Sequence, residues 1–278
     1  MARFFHLSDI HVTVPRPGWT LGDVFSKHAT GWVNWTVLRR RRRFGDAHLL
    51  LQRFVERVRA EQPDAVIFSG DATAMGFAKE AADAAELLHV REFPGFAVPG
   101  NHDHYTPAAV QRGGFEDSFQ PWLLGERVDA EKYPFAKKIA GVWLVGVNSA
   151  VPNRGVWDAS GWVGTSQLQR LDRLLTTLSA DPRVLVTHYP FVQADGAPES
   201  SQHGLRDRFE LAEIVSRHGI VAWLCGHRHH HYRLAPAVDL PFHLVCAGSA
   251  TMRGESGYWE ISNANTGNAT FAWHSLRA

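Results

Sequence analysis

Near the C-terminal third of the chain, Gly226-His227-Arg228-His229 follows the apolar run Val221–Cys225. The run reads as a buried strand, and the glycine ends it where the backbone must turn sharply. Side chains two apart on an extended segment point the same way. His227 and His229 can therefore offer two ring nitrogens to one metal ion, or to two ions close together. Taken alone, the segment also reads as a polar turn that happens to hold histidines. Similar combinations recur earlier: Asp9-Ile10-His11, Gly70-Asp71, Gly100-Asn101-His102-Asp103 and His188, each just after an apolar run. Asp9 and His11 alone would pass for a helix-capping acid and a surface histidine. The recurrence at successive strand ends is harder to assign to accident.

The elements that must position these residues are legible from periodicity. Residues 3–7 form a predicted buried strand, and Asp46 begins a helix with Leu50, Phe54 and Val58 on one face. Predicted strands 65–69 and 96–98 flank an alanine-rich helix at about 76–90. Helix and loop are expected over 107–131, and a hairpin over 132–147 about Ala140-Gly141. An aromatic loop at 149–164 precedes a helix at 165–179, the strand 184–187, a loop at 191–207 and a helix at 208–218. After the Val221 strand, antiparallel strands are expected near 241–247, 257–262 and 269–274. Strand and helix alternate, with Asp9, Asp71 and Asn101-His102 at strand C-termini, where α/β sheets place ligand-binding groups.

The chain of 278 residues can bury a sizeable core, and no repeat or linker divides it, so a single α/β domain over 1–278 is expected. A formal charge of +1 argues against a nucleic-acid-coating surface, and the sixteen histidines cluster with aspartates at loop positions. Cys225 and Cys246 lie inside apolar runs and read as small core residues. No run reaches the ~18 apolar residues of a membrane span. The first strand begins at Arg3, leaving no room for a signal peptide, so a cytoplasmic location is expected. His6, inside a strand, reads as a core histidine, and Thr73 as a turn or cap residue.

The five blocks in this order resemble the calcineurin-like metallophosphoesterase family, whose pattern is D-x-H, G-D, G-N-H-[DE], H and G-H-x-H. The resemblance spans residues 4 to about 250. It implies a four-layer α-β-β-α sandwich, two mixed sheets flanked by helices, with a di-metal centre at one sheet edge. Carried over by residue, it gives one metal to Asp9, His11, Asp71 and His229, and the other to Asp71, Asn101, His188 and His227. Asp71 would then bridge two ions, and Asn101 would contribute a neutral oxygen that leaves positive charge for a phosphate. Mixed imidazole and oxygen ligands suit manganese, iron, zinc or cobalt better than calcium or magnesium. The implied chemistry is in-line attack on phosphorus by a metal-bridging hydroxide. His102 is placed to protonate the leaving alkoxide, with Asp103 as its orienting partner. The pattern gives no metal role to His104, His230 and His231, which read as supporting or solvent-facing residues.

Within the family the chain looks most like the bacterial class III cyclic-nucleotide phosphodiesterases. Cyclic AMP, or a related small phosphodiester, is the expected substrate. The insertion at 12–45 carries Trp19, Trp32 and Trp35 and then Arg39 to Arg43 in a row. Through 19–43 such a segment could lie peripherally on the anionic headgroups of an inner membrane. That favours a second reading, a UDP-2,3-diacylglucosamine pyrophosphohydrolase-like enzyme of lipid A synthesis. A non-catalytic scaffold would lack part of the ligand set, and a nuclease would carry a long basic groove. Here no ligand of the set is missing, and the arginines are concentrated in one run with a formal charge of +1.

Overall fold

In a computed structural model, which describes residues 1–20, 23, 27–28, 43–153, 155, 157–266 and 268–277, the strands form two sheets. The first carries β1 (Arg3–Leu7), β2 (Ala65–Phe68), β3 (Gly95–Ala97), β10 (Gly257–Ser262) and β11 (Thr270–Ser275), in the order β11-β10-β1-β2-β3. β1, β2 and β3 run parallel, while β10 and β11 are antiparallel additions. The second sheet has the order β4-β5-β6-β7-β9-β8. It is built from β4 (Phe135–Ile139), β5 (Val142–Gly146), β6 (Arg183–Val186), β7 (Ile220–Cys225), β8 (His231–Leu234) and β9 (His243–Ala247). Its inner strands β5, β6, β7 and β9 are parallel.

Side-chain alternation in the second sheet explains the layering. Leu144, Val184, Val186 and Leu224 share one core with Phe4, Phe68 and Phe96 of the first sheet. The residues between them, Trp143, Val145, Leu185 and Trp223, share another core with Leu171 and Leu175 of α5 (Thr165–Thr177) and Leu211 of α6 (Arg208–Arg217). The outer face of the first sheet is covered by α1 (Ala47–Glu61), through Leu50, Leu51, Phe54 and Val58, and by α2 (Ala78–Leu87). Central parallel strands covered on both faces are apolar without interruption, as β2 and β7 are. The result is helix, sheet, sheet, helix, the expected four layers.

Two local differences from the sequence reading have physical causes. The strand near 241–247 lies parallel to β7, and its antiparallel partner is β8, a strand the polar sequence His231–Leu234 does not announce. β8 is an edge strand, so polar alternating residues cost it little. The stretch 107–131 resolves into α3 (Pro107–Arg112), α4 (Gly114–Ser118) and a 3-10 turn at Gln120–Trp122. Trp32, Trp35 and Arg39–Arg42 of the insertion lie outside the described residues. Of the rest, Asp23 is buried, with Arg112 Nη2 at 2.9 Å and His28 Nδ1 at 3.3 Å. The His28 ring packs 4.7 Å from Phe77. None of the described helices is long and apolar enough to cross a membrane.

Glu80, in the first turn of α2, is buried where its Oε2 accepts the Met75 and Phe77 amides at 3.0 and 3.3 Å, while Oε1 has no hydrogen-bond partner among the described residues. Burial outweighs those bonds and pushes its carboxyl from the usual 4.5 up to about 8. The folded state therefore holds a proton that the unfolded chain releases, and this contribution to stability is lost as pH rises through about 8. Glu80→Gln should flatten that dependence: its Tm should fall less than the wild-type value between about pH 6 and about pH 9 in thermal denaturation.

Candidate metal centre

All the expected ligands sit at one edge, past the C-termini of parallel strands: Asp9 and His11 after β1, Asp71 after β2, Asn101 after β3, His188 after β6, His227 and His229 after β7. The turns there are unusual. Asp9, His11, Asp71, His227 and His229 have φ of 52°, 44°, 59°, 70° and 60°, in the left-handed region that side chains with a Cβ disfavour. Backbone bonds over-determine these conformations. Asp9 N–H donates to Gly70 O at 2.9 Å, His11 N–H to Asp71 O at 3.1 Å and Gly226 N–H to His188 O at 2.9 Å. Two glycines permit the crowding. A Cβ on Gly226 would strike Ser8 and Asp9, and one on Gly100 would strike the backbone and carboxylate of Asp71.

The side chains converge as two adjacent groups. Ligand atoms of Asp9, His11, Asp71 and His229 all lie within 4.8 Å of one another. His229 Nε2 is 3.2 Å from Asp9 Oδ1 and 3.0 Å from His11 Nε2. In the second group, Asn101 Oδ1 is 3.1 Å from both His188 Nε2 and His227 Nδ1. Asp71 reaches both groups, with Oδ2 at 3.7 Å from His11 Nε2 and Oδ1 at 3.5 Å from His188 Nε2.

This arrangement fits cations. His188 Nδ1–H donates to Ser69 O at 2.8 Å, and His11 Nδ1–H to Thr73 O at 3.3 Å, which leaves a lone pair on each Nε2. The His188 lone pair then faces the Asn101 and Asp71 oxygens, a contact that repels unless a positive charge lies between them. Asp9 Oδ1 is buried, with His229 Nε2 beside it at 3.2 Å. Burial pushes the Asp9 carboxyl up, but the bond to and charge of His229, with His188 and His11, outweigh it and hold the group well below the usual range. Burial also lowers His188 and His227, keeping those imidazoles neutral as metal ligation requires. A carboxylate reaching both groups suits a dinuclear site of divalent ions.

His102 and Asp103 divide differently from expectation. The His102 ring stands 4.7 Å from that of His11, half-buried at the mouth, and its Nδ1–H donates to Ala74 O at 2.6 Å. Asp103 is turned inward instead. Its Oδ2 accepts the amides of Asp71 (2.8 Å), Ala72 (3.3 Å) and Gly100 (2.8 Å), and its Oδ1 that of Thr73 (3.0 Å). The orienting contact on His102 is thus a backbone carbonyl, and Asp103 holds the two ligand turns together. Thr73 does more than turn the chain: its carbonyl orients His11, and its hydroxyl donates to His102 O at 2.8 Å. Ser149 Oγ accepts the His188 amide at 3.1 Å, and Ser249 Oγ donates to Asp9 O at 2.6 Å. His104 pairs with Glu116 in the interior, while His230 and His231 pair with Glu255 at the surface.

The chain matches the sequence profile described as "Calcineurin-like phosphoesterase" over residues 2–231. It is 26% identical over 189 residues to a glycerophosphodiester phosphodiesterase of Enterobacter lignolyticus, covering 65% of this chain and 63% of that one, under two thirds of its length. It is 24% identical over 261 residues to a protein of Pseudoalteromonas sp. named a probable cyclic nucleotide phosphodiesterase, covering 93% of this chain and 82% of that one. Among solved structures, a dimetal phosphatase from Danio rerio superposes with a TM-score of 0.66 at 13% identity, covering 99% of this chain and 96% of that one.

The four amides on Asp103 imply a sharp response to a one-atom change. Asp103→Asn would set an NH₂ against N–H donors that point at it. The variant should melt several degrees lower and retain less than about a tenth of the bound metal after dialysis, by calorimetry and elemental analysis. Wild-type metal content in that variant would remove Asp103 from this role.

Proposed function

The chain belongs to the calcineurin-like phosphoesterase family, a family of phosphoric ester hydrolases, and on that footing we propose that it hydrolyses a small phosphodiester at a dinuclear metal centre. The observation that carries this reading is the Asp71 carboxylate, whose two oxygens reach two separate clusters of imidazole nitrogens and oxygen atoms. Asp9, His11, Asp71 and His229 would hold one ion, and Asp71, Asn101, His188 and His227 the other. Bound there, two divalent transition ions would supply Lewis acidity and charge neutralisation for a phosphoryl group. Asn101 brings no charge of its own, so with both ions bound the centre would keep a net positive field toward an anionic ester. As the imidazolium, His102 would carry a proton at Nε2 for the leaving alkoxide, while its Nδ1–H bond to Ala74 O keeps the ring in that orientation.

For the substrate, the relatives' names support two small diesters, a cyclic nucleotide and a glycerophosphodiester. Cyclic AMP remains the nominal choice, because the relative carrying that name is matched over more of both chains. Manganese, iron, zinc and cobalt all suit the donor set. The lipid pyrophosphate reading depends on Trp32, Trp35 and Arg39–Arg42, which the described residues do not include, so it is the less supported of the two.

With Mn²⁺ added, turnover of bis-p-nitrophenyl phosphate should exceed that of p-nitrophenyl phosphate, and cyclic AMP and a glycerophosphodiester should each compete. A clear preference for the monoester would overturn the diester assignment. His102→Ala should keep its metals while kcat on the diester falls by about a hundredfold or more. Near-normal turnover in that variant would take His102 out of the reaction.

A further inference from the structure

The segment after His188, running from Phe191 to Asp207, comes back to the site through Arg228. The Arg228 side chain reaches back to that segment. Its guanidinium forms an ion pair with Glu199, and Nη2 donates to Gln193 Oε1 at 3.2 Å. The Glu199 side chain is 12% exposed and that of Arg228 32%, so the carboxylate is mostly covered while the guanidinium keeps part of its contact with water. Removing Arg228 would leave the Glu199 carboxylate mostly covered and without its cation. Close by, Tyr232 Oη donates to Val192 O at 2.6 Å.

On its far side the same segment is bonded to the aromatic loop. Ala159 N–H donates to Gln202 O at 2.9 Å, Gly161 N–H to Gly204 O at 3.1 Å, and Arg206 N–H to Gly161 O at 3.0 Å. The aromatic loop in turn starts at Ser149, whose hydroxyl accepts the His188 amide. The two loops thus make one wall beside the β6 and β7 ligands. It is tied to the centre at His188 by backbone continuity and at the His227–His229 turn by the Arg228–Glu199 pair.

We propose that Arg228 and Glu199 are positioning residues, whose ion pair holds the 191–207 loop against the ligand turn where it receives an arm of the ester. They set how well substrate binds and leave the chemical step to the centre. The substrate part of this inference rests on the phosphodiesterase reading, whereas the latch does not. Glu199→Gln keeps shape and removes charge. In the metal-loaded enzyme it should speed hydrogen–deuterium exchange of residues 191–207 by about tenfold. KM for bis-p-nitrophenyl phosphate should rise about fivefold, with kcat and metal content near wild type. Exchanging the charges, in Arg228→Glu with Glu199→Arg, should recover part of the lost affinity. Arg228→Lys, which keeps the charge but not the planar fork, serves as a second variant should Glu199→Gln fold poorly.

Unchanged exchange in the loop would overturn the latch. Faster exchange with an unaltered KM, or a fall in kcat together with metal content, would overturn its role in binding. If the wild-type enzyme turns over no diester, the functional reading fails, and the exchange measurement still judges the latch.

Discussion

Electron-rich atoms crowded against one another at the joint edge of two sheets set the terms for the rest of this molecule. Imidazole nitrogens and carboxylate oxygens lie 3.0 to 3.7 Å apart there, with the Asp9 and His188 side chains fully buried. Apart from the His229–Asp9 contact, little in such a cluster attracts until positive charge arrives. The scaffold must therefore hold it against repulsion, and it does so with rigid parallel strands, shared backbone bonds and five residues in a disfavoured conformation. Pre-organisation of this kind costs folding stability, which the two large apolar cores offset.

The fold was readable to the extent that it depends on periodicity. Apolar runs at 3–7, 65–68 and 220–225 became buried parallel strands, and the spacing of Leu50, Phe54 and Val58 became the buried face of α1. β8 escaped because an edge strand needs no apolar face, and the direction of β9 escaped because pairing partners are not written in local pattern. The insertion was readable only as an oddity of composition. Its described residues show why it could be nothing more from sequence: Asp23 and His28 are fixed by Arg112, Phe77 and Tyr105, all far along the chain.

The same division holds at the centre. The expected ligands have types and spacings dictated by metal chemistry, so their convergence could be anticipated. The residues that hold them do so through backbone groups, which leave little mark on side-chain identity. Asp103 is the instructive case. Its neighbour in sequence suggested a partnership with His102, but a buried carboxylate is drawn to the densest group of unsatisfied donors, here the amides of 71–73 and 100. Ser149, Ser249 and Thr73 act by the same logic, and a serine or threonine in a loop carries no sign of it beforehand.

The first candidate ligand group takes Asp9, His11 and Asp71 from one sheet and His229 from the other. An ion seated among them would rivet the two halves of the sandwich across their common rim. Any repacking of the interior that slides one sheet past its neighbour, even by a fraction of an ångström, must then be felt as weaker ion affinity. Conversely, loading with metal should make the distant interior stiffer. Residues such as Phe96 and Leu144, which touch no ligand, thereby come under the same geometric discipline as the donors themselves.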